Sequence, residues 1–134
     1  MLVVNKDHPA RTVEDLLAYA RANPGKVFNG SAGVGGSNHL SGEQLAAQAK
    51  VQLVHVPYKG NAPAMVDVIG GQLTMMFDIV GGAHKFIAAD HARALAVTSA
   101  SRNPMLPEVP TLSESGLPNY VVLRMHLEEL FEDQ

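Results

Sequence analysis

The chain has 134 residues, 46% of them hydrophobic and 17% charged, with 13 acidic against 10 basic side chains and a formal net charge of −3. That length suits one domain with a real hydrophobic core, and an acidic balance leaves no basic face for a nucleic-acid backbone. The absence of cysteine excludes disulfides, thiolate zinc sites and cysteine nucleophiles while leaving the redox compartment open.

Strands and helices alternate along the chain. Leu2 to Val4 reads as a strand. Thr12 to Asn23 carries Val13, Leu16, Leu17 and Ala20 at helical spacing, with Thr12 as N-cap, Asp15 three residues on, and Pro24-Gly25 as the stop. Val27 to Phe28 is a short strand, and a glycine run leads into a helix over Ser37 to Ala49. Val51 to Val56 is again β-rich, Ala62 to Ile69 is a helix stopped by Gly70-Gly71, Leu73 to Phe77 is a strand, Gly82 to Ala89 a weaker helix, and Ala92 to Val97 a strand. This rhythm predicts an α/β domain with a mostly parallel sheet of about five strands and helices on both faces. Pro104, Pro107, Pro110 and Pro118 with Gly116 then break it into an extended, turn-rich stretch. No apolar run approaches the ~20 residues of a membrane span. The start, MLVVNKDHPA, lacks the basic end, long apolar stretch and small-residue cleavage site of a secretory leader.

The segment that promises chemistry is Gly30 to Ser37, GSAGVGGS, between a strand and a helix. Such a turn aims several backbone N–H groups at one point, and the following helix adds partial positive charge, so it favours an anion. As a phosphate loop it lacks the lysine, since Gly36 stands there; as a dinucleotide fingerprint it has Asn38 at the third glycine position. What is left is a small anion, most simply a carboxylate, held by N–H groups and the hydroxyls of Ser31 or Ser37. The competing reading is a tight turn and nothing more.

The histidines do not form a metal pattern, because no HExxH is present and the spacings do not converge. His39, in the first turn after the glycines, could donate to the same anion or sit as a cap; His55, inside LVHVPY, reads as a half-buried satisfied histidine. Ser31 lies in NGSAG rather than the G-x-S-x-G of a nucleophile elbow, which argues against an acyl-enzyme. Asp78 ends a strand at the edge where α/β sheets bind ligands, or caps the helix that follows. Met75 and Met76 read as core filling. No cofactor or metal is expected.

Three long strings, NPGKVFNGSAGVGGSNHLSGE, VHVPYKGNAPAMVDVIGGQLTMMFD and RALAVTSASRNPMLPEVPTLSESGLPNY, closely resemble the tripartite tricarboxylate transporter substrate-binding proteins known as the Bug family. The resemblance covers residues 1–121 and implies one domain, the second of two, of a type II periplasmic-binding-protein fold that closes around a carboxylated small molecule. It implies a periplasmic solute receptor, not an enzyme, that hands its ligand to membrane transporter subunits. Carried onto this sequence, the family's carboxylate-binding loop falls on Ser31, Ala32, Gly33, Val34, Gly35, Gly36 and Ser37, with His39 beyond it. Tyr58 of VPYKG would wall the ligand, and Asp78 would stand on the cleft edge.

After Tyr120 or Val121 the resemblance stops. Leu123, Leu127, Leu130 and Phe131 give residues 122–134 the spacing of an amphipathic helix, as in a truncated or frame-shifted reading frame. A lone domain is expected to bind small carboxylates weakly and to form a homodimer through exposed apolar surface. Alternatives are a remnant without binding function, a self-associating module or, further off, a small-anion hydrolase.

Overall fold

The computed structural model describes residues 1–118 and 120. In chain order these form β1 (Leu2–Asn5), α1 (Val13–Ala22), β2 (Phe28–Ser31), α2 (Ser37–Ala49), β3 (Val54–Pro57), α3 (Asn61–Gly70), β4 (Met75–Phe77), α4 (Val80–Ala88) and β5 (Ala92–Ala96), then a 3-10 turn at Ser113–Ser115. Thr12 caps α1 as its sequence requires, its hydroxyl accepting from the Asp15 N–H at 3.1 Å. Gly71 closes α3 at φ 90°, in the left-handed region that glycine favours. The differences from the sequence reading lie at element ends. β3 begins only at Val54, because Val51 and Leu53 are spent packing against the core, and β2 runs on into the glycines as far as Ser31, paired with Pro57. The proposed amphipathic tail at 122–134 lies outside the described residues.

The five strands form one sheet in the order β3-β2-β4-β1-β5. β2 is parallel to β3 and to β4, whereas β1 is antiparallel to both its neighbours, β4 and β5. The sheet is therefore mixed, which corrects the expectation of a mostly parallel one. A run of three apolar residues, Leu2 to Val4, reports burial on both faces but not direction. Since β1 opposes β4 and β5 alike, β2, β3, β4 and β5 all point the same way. Their carboxyl ends and the beginning of β1 consequently lie along one edge of the sheet.

The core is two layers. On one face α1 and α2 bury Val13, Leu16, Leu17 and Leu45 against Leu2, Val4, Met75 and Leu95. On the other, α3 and α4 bury Met65, Val68 and Ala83 against Val3 and Met76. Adjacent residues of a strand thus serve opposite layers, as the pleat dictates. The proline-rich segment closes the second layer: Leu106 and Val109 are buried there, and a bridge from Val97 to Thr111 ties its end back to the sheet.

Candidate functional site

An open cavity of about 560 Å³ lies along the edge where the four co-directed strands end. Each of the four co-directed strands contributes to its lining: Ala32 to Val34 and Gly36 to Asn38 follow β2, Asn61 opens α3 after β3, Asp78 to Val80 follow β4, and Thr98 and Ser99 follow β5. This is where open α/β sheets offer helix N-termini and loop backbone to a ligand.

The glycine loop is braced from below. Ser31 is fully buried; its hydroxyl accepts from the Gly33 N–H at 3.2 Å and lies 3.1 Å from the Gly33 carbonyl and 2.6 Å from His55 Nε2. The hydroxyl has one proton, which goes to the Gly33 carbonyl or to His55 Nε2 according to the tautomer of that ring. The close serine–histidine pair joins β2 to β3 directly behind the loop. His39 braces the loop from the helix: its Nδ1 accepts from the Gly35 N–H at 2.9 Å, and its ring stacks on His55 with centroids 3.7 Å apart. Burial, then the adjacent His39, push the His55 pKa below its ordinary value, with Glu43 opposing.

This bracing decides which donors the loop has left. The N–H groups of Ala32, Gly33, Gly35 and Gly36 are bonded to Asn38, Ser31, His39 and the Gly33 carbonyl. Those of Val34, Ser37 and Asn38 have no acceptor among the described residues, and all three residues line the cavity. Ser37 and Asn38 are the first two residues of α2, where unpaired N–H groups and the helix dipole coincide. Gly35 makes the geometry possible with φ 82°, which a β-branched residue would not adopt without strain.

On the opposite wall a directed chain of amides ends on Asp78. The Ala32 N–H donates to Asn38 Oδ1 at 3.1 Å, Asn38 Nδ2 to Asn61 Oδ1 at 2.8 Å, and Asn61 Nδ2 to Asp78 Oδ1 at 3.0 Å. Asp78 Oδ1 also accepts from the Ile79 N–H at 2.8 Å, and Asp78 does not cap α4, whose N-cap is Ile79. Asp78 is 8% exposed.

Of the residues singled out from sequence, Ala32, Gly33, Val34, Gly36, Ser37 and Asp78 line the cavity; Ser31, Gly35 and His39 stand behind the loop as supports. Tyr58 is turned away, its hydroxyl donating to Asp67 at 2.6 Å, and that bond raises its pKa to about 12. The polar residues Asn38, Ser41, Asn61, Thr98, Ser99 and Asn103 also line it and were not anticipated. Asn38, Asn61, Thr98 and Ser99 all lie within seven residues of a strand's carboxyl end, a positional signal available in the sequence. The described residues contain no cluster of three or more metal-ligating side chains.

A mixed five-stranded α/β layer with a ligand-sized cavity at its strand ends is the architecture of the periplasmic binding proteins. Solved structures bear this out: R. palustris Rpa4515, determined with adipate, superposes with a TM-score of 0.87 at 38% identity over 90% of this chain and 40% of that one. The periplasmic binding protein BugD superposes at 0.84 and 36% identity over 89% of this chain and 40% of that one. MatC from Rhodopseudomonas palustris, with bound malate, gives 0.85 at 27% identity over 90% and 41%. The chain belongs to the tripartite tricarboxylate transporter family of receptors, whose model matches residues 1–125. A UPF0065 protein of Pseudomonas sp. strain P51, encoded in the tcbD-tcbE intergenic region, is 49% identical over 92% of this chain. BugT of Bordetella pertussis is 31% identical over 90% of it. The chain spans 37% of the length of each of these two relatives.

Proposed function

We propose that this chain is the ligand-binding domain of a periplasmic solute receptor, that it holds a small carboxylate without chemical change, and that its physiological partner is a tripartite tricarboxylate-type transporter. The observation that carries this reading is the set of unpaired N–H groups of Val34, Ser37 and Asn38 at the cavity wall, beside the Ser37 hydroxyl. Three donors preorganised by glycines and by a helix start suit a carboxylate and need no cation. Adipate and malate, present in the related structures, are both small carboxylic acids. The residues that resemblance assigned to the carboxylate loop divide accordingly: Val34 and Ser37 donate, Ala32, Gly33 and Gly36 shape the wall, and Ser31, Gly35 and His39 hold the shape. The ligand domain comprises residues 1–121, and transfer to the transporter follows closure on the ligand by the rest of a longer receptor. Self-association through the tail rests on residues outside the described ones.

The test is a substitution that removes one donor and leaves the helix intact. Ser37 is the first residue of α2, and Gly36 before it has φ −70° and ψ 166°, the extended conformation that precedes proline comfortably. Ser37→Pro therefore deletes the N–H without breaking the fold. In NMR titrations with acetate, propionate and butyrate, the wild-type chain is expected to show saturable shifts at Val34 to Asn38. Ser37→Pro should weaken them about tenfold, and Ser37→Ala by less. Saturable binding that is unchanged in Ser37→Pro would locate the anion elsewhere.

A further inference from the structure

One polar side chain on the cavity wall has no task within the protein. Ser41 is 5% exposed and lines the cavity, yet its hydroxyl has no hydrogen-bond partner among the described residues and is not sealed from solvent. A buried serine ordinarily finds a partner, and the carbonyl four residues back is the nearest one at hand; Ser115 Oγ donates in that way to the Thr111 carbonyl at 2.8 Å. Ser41 does not. Its main chain, by contrast, is held on two sides: its carbonyl accepts from the Tyr120 hydroxyl at 2.8 Å, and the next residue, Gly42, packs against the Asn29 amide. The side chain therefore stands at a fixed place on α2. It follows Ser37 by four residues, which puts the two on one helix face about 6 Å apart along the axis. Phe77 and Val97, 4% and 2% exposed, line the same cavity, so part of its wall is apolar surface, near which a hydrogen bond is stronger than in water.

We infer that Ser41 is a specificity-determining residue, whose hydroxyl donates to a second oxygen-bearing group of a ligand anchored by its first carboxylate at Val34, Ser37 and Asn38. This rests on the carboxylate reading of the glycine loop and assigns the residue that reads the rest of the molecule. The main-chain donors of the loop touch only the group that all such acids share, and so treat them alike. A hydroxyl one helical turn further along touches what differs. Being neutral and able to donate, it takes a second ionised carboxylate without repulsion, whereas a methyl group in the same place strips it of water and returns no bond.

The experiment titrates the wild-type chain and Ser41→Ala at pH 7.5 with butyrate and succinate, acids of equal length that differ only in the far group, followed by NMR at Val34 to Ser41. Both chains carry the same charges in the cavity, so a change in the ratio of the two affinities reports the hydroxyl. Ser41→Ala is expected to lower the ratio of succinate to butyrate affinity about tenfold. The melting temperature of the ligand-free variant should not fall, because the hydroxyl bonds nothing in the protein and alanine is the better helix former. A ratio unchanged in Ser41→Ala overturns the assignment. An equal loss for both acids, with or without a lower melting temperature, overturns it as well, since Ser41 would then act on the loop and not on the far group. Failure of both acids to bind the wild-type chain overturns the carboxylate reading itself, which the wild-type butyrate arm reports without reference to Ser41.

Discussion

His55, stacked on His39 behind the glycine loop, makes the fold sensitive to acid. Folding lowers the pKa of His55 below its ordinary 6.5, chiefly by burial, and does the same to His8, through burial and then the charge of Arg93. For both rings the folded state prefers the neutral form. The stability they contribute is therefore fully present above about pH 6.5 and is lost as pH falls through that value toward the lower folded pKa. Calorimetry is expected to give a melting temperature that is level from pH 8 to 7 and declines toward pH 5, and His55→Gln, whose amide can still donate to Ser31, should make that decline shallower. Tyr58 supplies a separate check: its pKa is held at about 12 mainly by the bond to Asp67, so Asp67→Asn should return the Tyr58 ring titration, followed by NMR, to near 10.

Helix α2 is placed by an absence. Gly42 lies where α2 crosses β2, and a methyl group there would overlap the amide of Asn29, itself 2% exposed. Gly42→Ala gains roughly 1 kcal/mol of helix propensity, yet overpacking against a central strand costs about 1–3 kcal/mol, so the net effect is destabilising. Asn29→Ala should relieve the overlap, and a double-mutant cycle in urea is expected to show the two substitutions coupled by more than about 0.5 kcal/mol. Additive effects would mean that α2 shifts rather than presses on β2. Because α2 carries Ser37 and Asn38 at its start, the same packing aims their N–H groups into the cavity. At the far helix, Thr12→Ala removes the α1 cap and should cost about 1 kcal/mol without altering ligand binding, as no residue of α1 lines the cavity.

The domain has two cores separated by one sheet, and its stability draws on both. Leu45 of α2 and Met65 of α3 are each at most 2% exposed and belong to opposite layers. Leu45→Ala and Met65→Ala should each cost about 2–5 kcal/mol and add, since the two sites lie in opposite layers with the sheet between them. Against a total of about 5–15 kcal/mol for a domain, the double variant should be largely unfolded at room temperature by circular dichroism. A double variant as stable as either single one would show that the layers are coupled through the sheet.

How much of this was legible beforehand depends on the range of the interactions concerned. Periodicity and punctuation are local, so Thr12 with Asp15, the Gly70-Gly71 stop and the strand–helix alternation placed nearly every element, and the glycine octet marked the anion-ready turn. The family match rests on the same local strings. The direction of β1 was not legible, because Leu2 to Val4 look alike in either sense and their partners, Met75 to Phe77 and Ala92 to Ala96, lie some seventy to ninety residues away. Nor was the division of labour within the loop. Which N–H groups remain free was settled by His39, His55 and Asn38 folding back on it, and the link from Asn38 through Asn61 to Asp78 joins three separate crossovers. The sequence by itself determined the elements and the glycine turn, since each depends on neighbours a few residues apart. Only the tertiary structure decided strand sense and the free donors, since those depend on contacts made across the sheet edge.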